Sequence, residues 1–195
     1  MGFEIELKAH VREDQVDSVL SAISALPSAK SLGPISKFDM YWSQTDEGEP
    51  IFRVRREMTA DGPDILFTAK PNKVKTEKGT EENQELEFTA PDNQWDNILN
   101  FCSGIGLQVC RLKWKKGKHF HVMYKGFDVH AEVLDVKYLG WFLEMEICPE
   151  SSEGFDIEGA DRALRSILAE VGISEDAVES RGYSRMLKAI GHNKG

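Results

Sequence analysis

The feature that most constrains this chain is a two-residue alternation that recurs along it, each time with polar or charged side chains on one face. Its first instance is Phe3-Glu4-Ile5-Glu6-Leu7-Lys8-Ala9-His10. Successive strand side chains point to opposite sides of a sheet. Phe3, Ile5, Leu7 and Ala9 therefore share an apolar face, and Glu4, Glu6, Lys8 and His10 a charged one. The same pattern predicts strands over Ser36–Trp42 (Lys37, Asp39 and Tyr41 together), Ile51–Met58 (Arg53, Arg55, Glu57) and Ile65–Lys70 (Thr68, Lys70). It continues in Gln84–Ala90 (Glu85, Glu87), Leu107–Lys115 (Val109, Arg111, Lys113, Lys115) and Lys118–Tyr124 (His119, His121). Phe127–Val133 (Asp128, His130, Glu132) and Trp141–Cys148 (Glu144, Glu146) complete the set.

Helical spacing interrupts the strands. Val16, Val19, Leu20, Ile23 and Leu26 follow Glu13-Asp14 and stop at Pro27. Trp95, Ile98, Leu99 and Cys102 follow Asp92, read as a cap. Ile157, Ala160, Leu164, Ile167, Leu168 and Val171 follow Asp156. A last helical stretch covers Val178 to Ile190. Lys116-Gly117 and Lys125-Gly126 read as turns. The polar segment Pro71–Asn83, with Lys73, Lys75 and Lys78, reads as a loop. At 195 residues the chain fits one domain, 1–195.

Two dispositions satisfy the alternation. The charged faces look into water from an open sheet, or eight or so antiparallel strands close into a barrel and share a lumen. Closure removes sheet edges and lets the helices cover the apolar outside. The expected class is thus α+β, an eight-stranded antiparallel closed barrel with helices packed on its exterior. A lumen lined by both signs of charge needs partners for each. Arginine forks and lysines suit phosphate oxygens. Carboxylates suit Mg²⁺ or Mn²⁺ bridging to phosphates. A triphosphate uses both.

Composition narrows the alternatives. With 33 acidic and 24 basic residues and a formal charge of -9, the chain lacks the basic excess of a nonspecific nucleic-acid binder. Cys102, Cys110 and Cys148 have no CxxC spacing and fit free thiols in a reducing compartment. Neither a signal-peptide pattern nor a membrane-length apolar run is present, so a cytoplasmic location is expected. His10, His119, His121 and His130 show no HxxxH or HExxH spacing. A Walker loop and a GxSxG elbow are also missing.

Several segments together resemble one family. Glu4-Ile-Glu-Leu-Lys8 matches the ExExK signature of the CYTH superfamily, also called triphosphate tunnel metalloenzymes. Asp39-Met-Tyr41 resembles its DxY, Phe52-Arg-Val-Arg55 its RxR strand, Phe67-Thr-Ala-Lys70 its lysine strand and Glu85-Leu-Glu87 its central ExE. Leu139 to Glu146 resembles the late LGxFxExE, and Arg181 to Leu187 the C-terminal SYxxLL segment. The match runs in order over nearly the whole chain.

The resemblance implies a tunnel with a basic phosphate wall and an acidic metal wall. Lys8, Arg53, Arg55, Lys70, Arg111 and Lys113 are then the phosphate ligands. Glu4, Glu6, Glu132, Glu144 and Glu146 are the Mg²⁺ or Mn²⁺ ligands, with Glu85, Glu87 and Asp135 as further acidic candidates. Alternation favours Glu132 over Asp135. Tyr41 and Lys70, with Lys8, stand where some thiamine triphosphatase-like members place catalytic groups. The implied activity is metal-dependent hydrolysis of inorganic tripolyphosphate, thiamine triphosphate or a nucleoside triphosphate. The alternatives are an adenylyl cyclase making cyclic AMP and pyrophosphate, and a non-catalytic polyphosphate binder. ExExK begins three residues into the chain, without the longer lead-in of some cyclases, which favours hydrolysis. Neither nucleic acid nor membrane is expected as a partner, and a homodimer is compatible with this reading.

Overall fold

The computed structural model describes residues 2–75, 80–151 and 153–192, and of 71–75 and 81–85 only the backbone. Eight strands form: β1 Gly2–Val11, β2 Lys30–Ser43, β3 Phe52–Thr59, β4 Gly62–Lys75, β5 Glu81–Pro91, β6 Gln108–Tyr124, β7 Phe127–Val136 and β8 Gly140–Ile147. The helices are α1 Val16–Ala25, α2 Trp95–Gly104, α3 Ile157–Glu170 and α4 Tyr183–Ala189. All strand pairs are antiparallel, in the order β1-β5-β4-β3-β2-β6-β7-β8. β1 also pairs with β8, from Ile5↔Ile147 to Val11↔Trp141. None of the described helices is long and apolar enough to cross a membrane.

The apolar faces build the core. Ile5, Leu7 and Ala9 of β1, with Val129, Ala131, Val133, Leu143 and Met145, pack against Val19 and Ile23 of α1 and Leu164, Ile167 and Leu168 of α3. α3 starts where expected: the Asp156 side chain accepts from the Gly159 N–H at 2.8 Å. A second apolar cluster sets Trp42, Val54 and Ile65 against Cys102 of α2. A third lies on the charged face. Ile35, Leu134, Val136 and Phe142 continue the interior rows of β2, β7 and β8, and Tyr183 and Met186 of α4 pack on them. α4 thereby stops one end of the interior.

Four local expectations are corrected. Lys116-Gly117 is not a turn, because β6 runs unbroken and Gly117 pairs with Ile35 and Leu134. A Cβ on Gly117 would stand 1.9 Å from the Val133 carbonyl oxygen, so glycine serves close backbone approach here, not chain reversal. The segment read as a loop is mostly strand. Asn72 to Lys75 pair with Gln84 to Glu81, and Glu81 to Glu85 also pair with β1. Ladder bonds on both sides outweigh the poor strand propensity of these residues. The side chains of Lys73 and Lys75, and Lys78 entirely, lie outside the described residues. Asp92 does not cap α2. Its carboxylate takes both Arg56 donors, at 2.6 and 2.8 Å, and α2 begins at Trp95. Val109 leaves the charged face: the register shifts between Tyr41↔Arg111 and Trp42↔Val109, and this bulge turns Val109 to the α2 cluster.

Candidate active site

Register brings the charged residues together. On one side Tyr41 of β2 stands between Arg53 and Arg111, Asp39 between Arg55 and Lys113, and Lys37 between Glu57 and Lys115. On the other, Lys8, Glu144, Glu132 and His119 form one cross-strand row, and Glu6, Glu146 and His130 the next. These rows line a cavity of about 430 Å³. Its described lining holds seven cations (Lys8, Lys37, Arg53, Arg55, Lys70, Lys113, Lys115) and seven carboxylates (Glu4, Glu6, Glu57, Glu87, Glu132, Glu144, Glu146). The signs balance, so the cavity is divided by wall: β2, β3 and β6 are mainly basic, and β1, β7 and β8 mainly acidic.

Asp39 organises the basic wall. It is fully buried, accepts from Arg55 Nε at 2.7 Å and Nη2 at 3.2 Å, and meets Lys113 Nζ at 2.8 Å. Burial alone would push its carboxyl up, but Arg55, Lys113 and Arg53 outweigh that and hold it well below the ordinary range. Burial pulls Lys113 down to about 8, with Asp39 resisting and Arg55 and Arg53 assisting. Burial likewise brings Lys115 to about 8, although Glu144 lies 2.5 Å away. Arg53 Nη2 donates to Thr68 Oγ1 at 2.7 Å, and Thr68 donates to Glu87 at 2.8 Å. The Tyr183 ring lies under three ammonium groups, with Lys8 at 4.6 Å, Lys113 at 4.9 Å and Lys115 at 5.4 Å from its centroid.

Glu132, Glu144 and Glu146 of the acidic wall are held in the ionised form. Burial opposes the Glu144 charge, but Lys115, Lys113 and Lys8 hold its carboxyl far below the ordinary range. Against burial, the His130 hydrogen bond and Lys37 bring Glu146 to about 2. Glu132 accepts from Lys37 at 2.5 Å. Glu4 is bonded by Lys70. Glu6 makes no ion pair among the described residues. The donor set of Glu4, Glu6, Glu132, Glu144 and Glu146 is all carboxylate oxygen, which fits Mg²⁺ or Mn²⁺.

Of the residues expected from the sequence, Glu4, Glu6, Lys8, Tyr41, Arg53, Arg55, Lys70, Glu87, Lys113, Glu132, Glu144 and Glu146 line this cavity. Arg111 does not; it is buried beside it, with Nη1 donating to Ser184 Oγ at 2.6 Å. Asp135 has the opposite strand parity to Glu132 and pairs with Lys116 and Trp141, away from the cavity. The Glu85 side chain lies outside the described residues. Tyr41 and Lys70 line the cavity without a direct contact: Tyr41 lies 5.5 Å from Lys113 Nζ, whereas Lys70 engages Glu4. Burial and Asp39 raise the Tyr41 phenol, so it stays protonated at neutral pH.

No family model matches the chain, and no curated protein matches it in sequence. Solved structures do match in shape. The PH1819 protein of Pyrococcus horikoshii is 21% identical with a TM-score of 0.76, covering 96% of this chain and 99% of its own. A provisional adenylate cyclase from Vibrio parahaemolyticus is 16% identical with a TM-score of 0.69, covering 95% and 98%. HpAC1 from Hippeastrum, a provisional adenylyl cyclase with a dominant triphosphatase activity, is 13% identical with a TM-score of 0.65, covering 98% and 97%. The chain has the triphosphate-tunnel fold.

Within that fold, sequence reasoning left Lys37 out of the cation set and counted Lys115 only loosely. Both share strand parity with assigned neighbours, Lys37 with Asp39 and Tyr41, Lys115 with Lys113, so the signal was present. The role of Asp39 as anchor of the basic wall depends on β3 and β6 both flanking β2. Alternation within one strand cannot give that.

Proposed function

We propose that this chain is a divalent-metal-dependent triphosphatase, working inside a closed tunnel on a small triphosphate. The observation that carries the reading is the division of one cavity into a basic and an acidic wall. Arg53, Arg55, Lys113 and Lys115 take the phosphate oxygens, and Lys8 and Lys70 reach them from the facing strands. Glu4, Glu6, Glu144 and Glu146, with Glu132, hold Mg²⁺ or Mn²⁺. When bound, the ion supplies charge neutralisation on the phosphate chain. Asp39 keeps Arg55 and Lys113 aimed inward before substrate arrives, so little reorganisation is needed. Tyr183 and the α4 end exclude water from one mouth. Pure anion binding has no use for the acidic wall.

A second reading, action on a nucleotide with cyclisation, is favoured by one feature. An apolar hollow of about 680 Å³, lined by Phe3, Phe52, Phe67, Phe88 and Phe101, adjoins the cavity and shares Glu4, Thr68 and Glu87 with it. Such a hollow suits an organic group attached to the phosphates. A product assay with Mg²⁺ or Mn²⁺ decides. Orthophosphate from tripolyphosphate or thiamine triphosphate, without cyclic AMP from ATP, is the expected result. Cyclic AMP with pyrophosphate would replace the hydrolase reading by the cyclase. Binding without turnover would overturn both.

A further inference from the structure

One cluster on the acidic wall carries imidazole as well as carboxylate. His130 Nδ1 stands 3.1 Å from Glu146 Oε1, which orients the ring and leaves Nε2 as its free donor position. That Nε2 lies 3.4 Å from His119 Nδ1 and 3.7 Å from Glu132 Oε1. One ligand atom from each of His119, His130 and Glu132 falls within 4.8 Å of the others. Zinc–nitrogen bonds of about 2.0–2.1 Å at the tetrahedral angle place two donors about 3.3–3.4 Å apart. The spacing is therefore that of a chelate needing little rearrangement.

His119 adds an independent observation. It is only 7% exposed, and its Nε2 makes no hydrogen bond among the described residues. Its Nδ1 stands 3.4 Å from His130 Nε2, and the Leu32 backbone also hydrogen-bonds the ring. A cation held by His119 Nδ1, His130 Nε2 and Glu132 would replace the weak 3.4 Å contact between the two rings. Lys37 occupies Glu132 Oε1 at 2.5 Å and has Glu57 at 3.2 Å as an alternative, which leaves Glu132 available.

We propose that His119, His130 and Glu132 form a second metal site, for a borderline first-row divalent ion of the zinc and cobalt class, with Glu146 behind His130 as its orienting carboxylate. Imidazole disfavours Mg²⁺, so the site is chemically distinct from the all-oxygen set, which it adjoins through Glu132 and Glu146. It goes beyond the triphosphatase reading and does not depend on it.

The test uses the full chain with Co²⁺ alone, followed by visible absorption and calorimetry without phosphate. The tightest-bound Co²⁺ should show a nitrogen-ligated spectrum, and a hundredfold excess of Mg²⁺ should not displace it. His119→Gln and His130→Gln should each weaken it at least tenfold, whereas Glu158→Gln on the exposed side of α3 should leave it unchanged. Circular dichroism establishes that the variants fold. In the unaltered chain, one equivalent of Zn²⁺ should shift the ring resonances of His119 and His130, a readout that needs no variant. Co²⁺ affinity unchanged in both histidine variants, or ring signals that Zn²⁺ does not move, would overturn the site. Orthophosphate release with Mg²⁺, measured separately, reports on the triphosphatase reading.

Discussion

At the residue scale, Asp39 concentrates more consequence than any other side chain. It has no exposure and holds Arg55 and Lys113 at hydrogen-bond distance. Asp39→Asn keeps the shape and removes the charge, leaving buried cations without their counter-ion. Breaking a buried pair from one side costs about 3–5 kcal/mol, so denaturant unfolding should show a loss of that order. Lys113 and Lys115 give a second prediction, in pH. With folded values of about 8, they are charged below that pH and neutral above it. The ability to hold phosphate should therefore decline as pH rises through about 8. This should appear as an alkaline limb in kcat/KM, which reports the free enzyme, and Lys113→Arg should move that limb upward. Strand parity places Lys113 in the cavity from sequence alone. Its lowered value comes first from burial in the assembled interior, with Arg55 and Arg53, which arrive from another strand, assisting.

At the element scale, the apolar half of each strand was legible and its interruptions were not. Phe3 to His10 alternates cleanly, and β1 does bury Ile5, Leu7 and Ala9 on one side and line the cavity with Glu4, Glu6 and Lys8 on the other. β6 defeats the same reasoning twice. Gly117 looks like a turn because glycine beside lysine usually reverses a chain, yet here it lets β7 approach. Cys110 is the extra residue of a bulge, which no two-residue period can foresee. Gly117→Ala should destabilise the fold sharply, since the Val133 carbonyl cannot swing away without breaking the β6–β7 ladder. Thermal unfolding would show it as a marked drop in Tm. Leu164→Ala on α3, fully buried against β1, should cost about 2–5 kcal/mol in denaturant unfolding and leave phosphate binding intact.

At the scale of the whole molecule, the chain sets seven cations and seven carboxylates around one space. Several of them pair between strands that are far apart in sequence, as Lys37 does with Glu132 and Lys115 with Glu144. That arrangement balances the two signs internally, and on the proposed reading phosphate and metal replace some of the internal ion pairs. The sequence motifs located most of the lining, because each motif is one strand's inward face. They could not show that α4 stops one end, that Arg111 is tied to Ser184, or that the two histidines meet, since each depends on elements packing across the interior.

The central claim is that the two walls divide the work, the basic one holding phosphate and the acidic one enabling turnover. The most direct measurement is orthophosphate release from tripolyphosphate by Glu6→Gln in Mg²⁺, at substrate concentrations that saturate the unaltered chain. Glu6 has no ion pair among the described residues, so its loss spares the internal network. The account predicts at least a hundredfold fall in turnover with tripolyphosphate still bound. Turnover equal to that of the unaltered chain would contradict it.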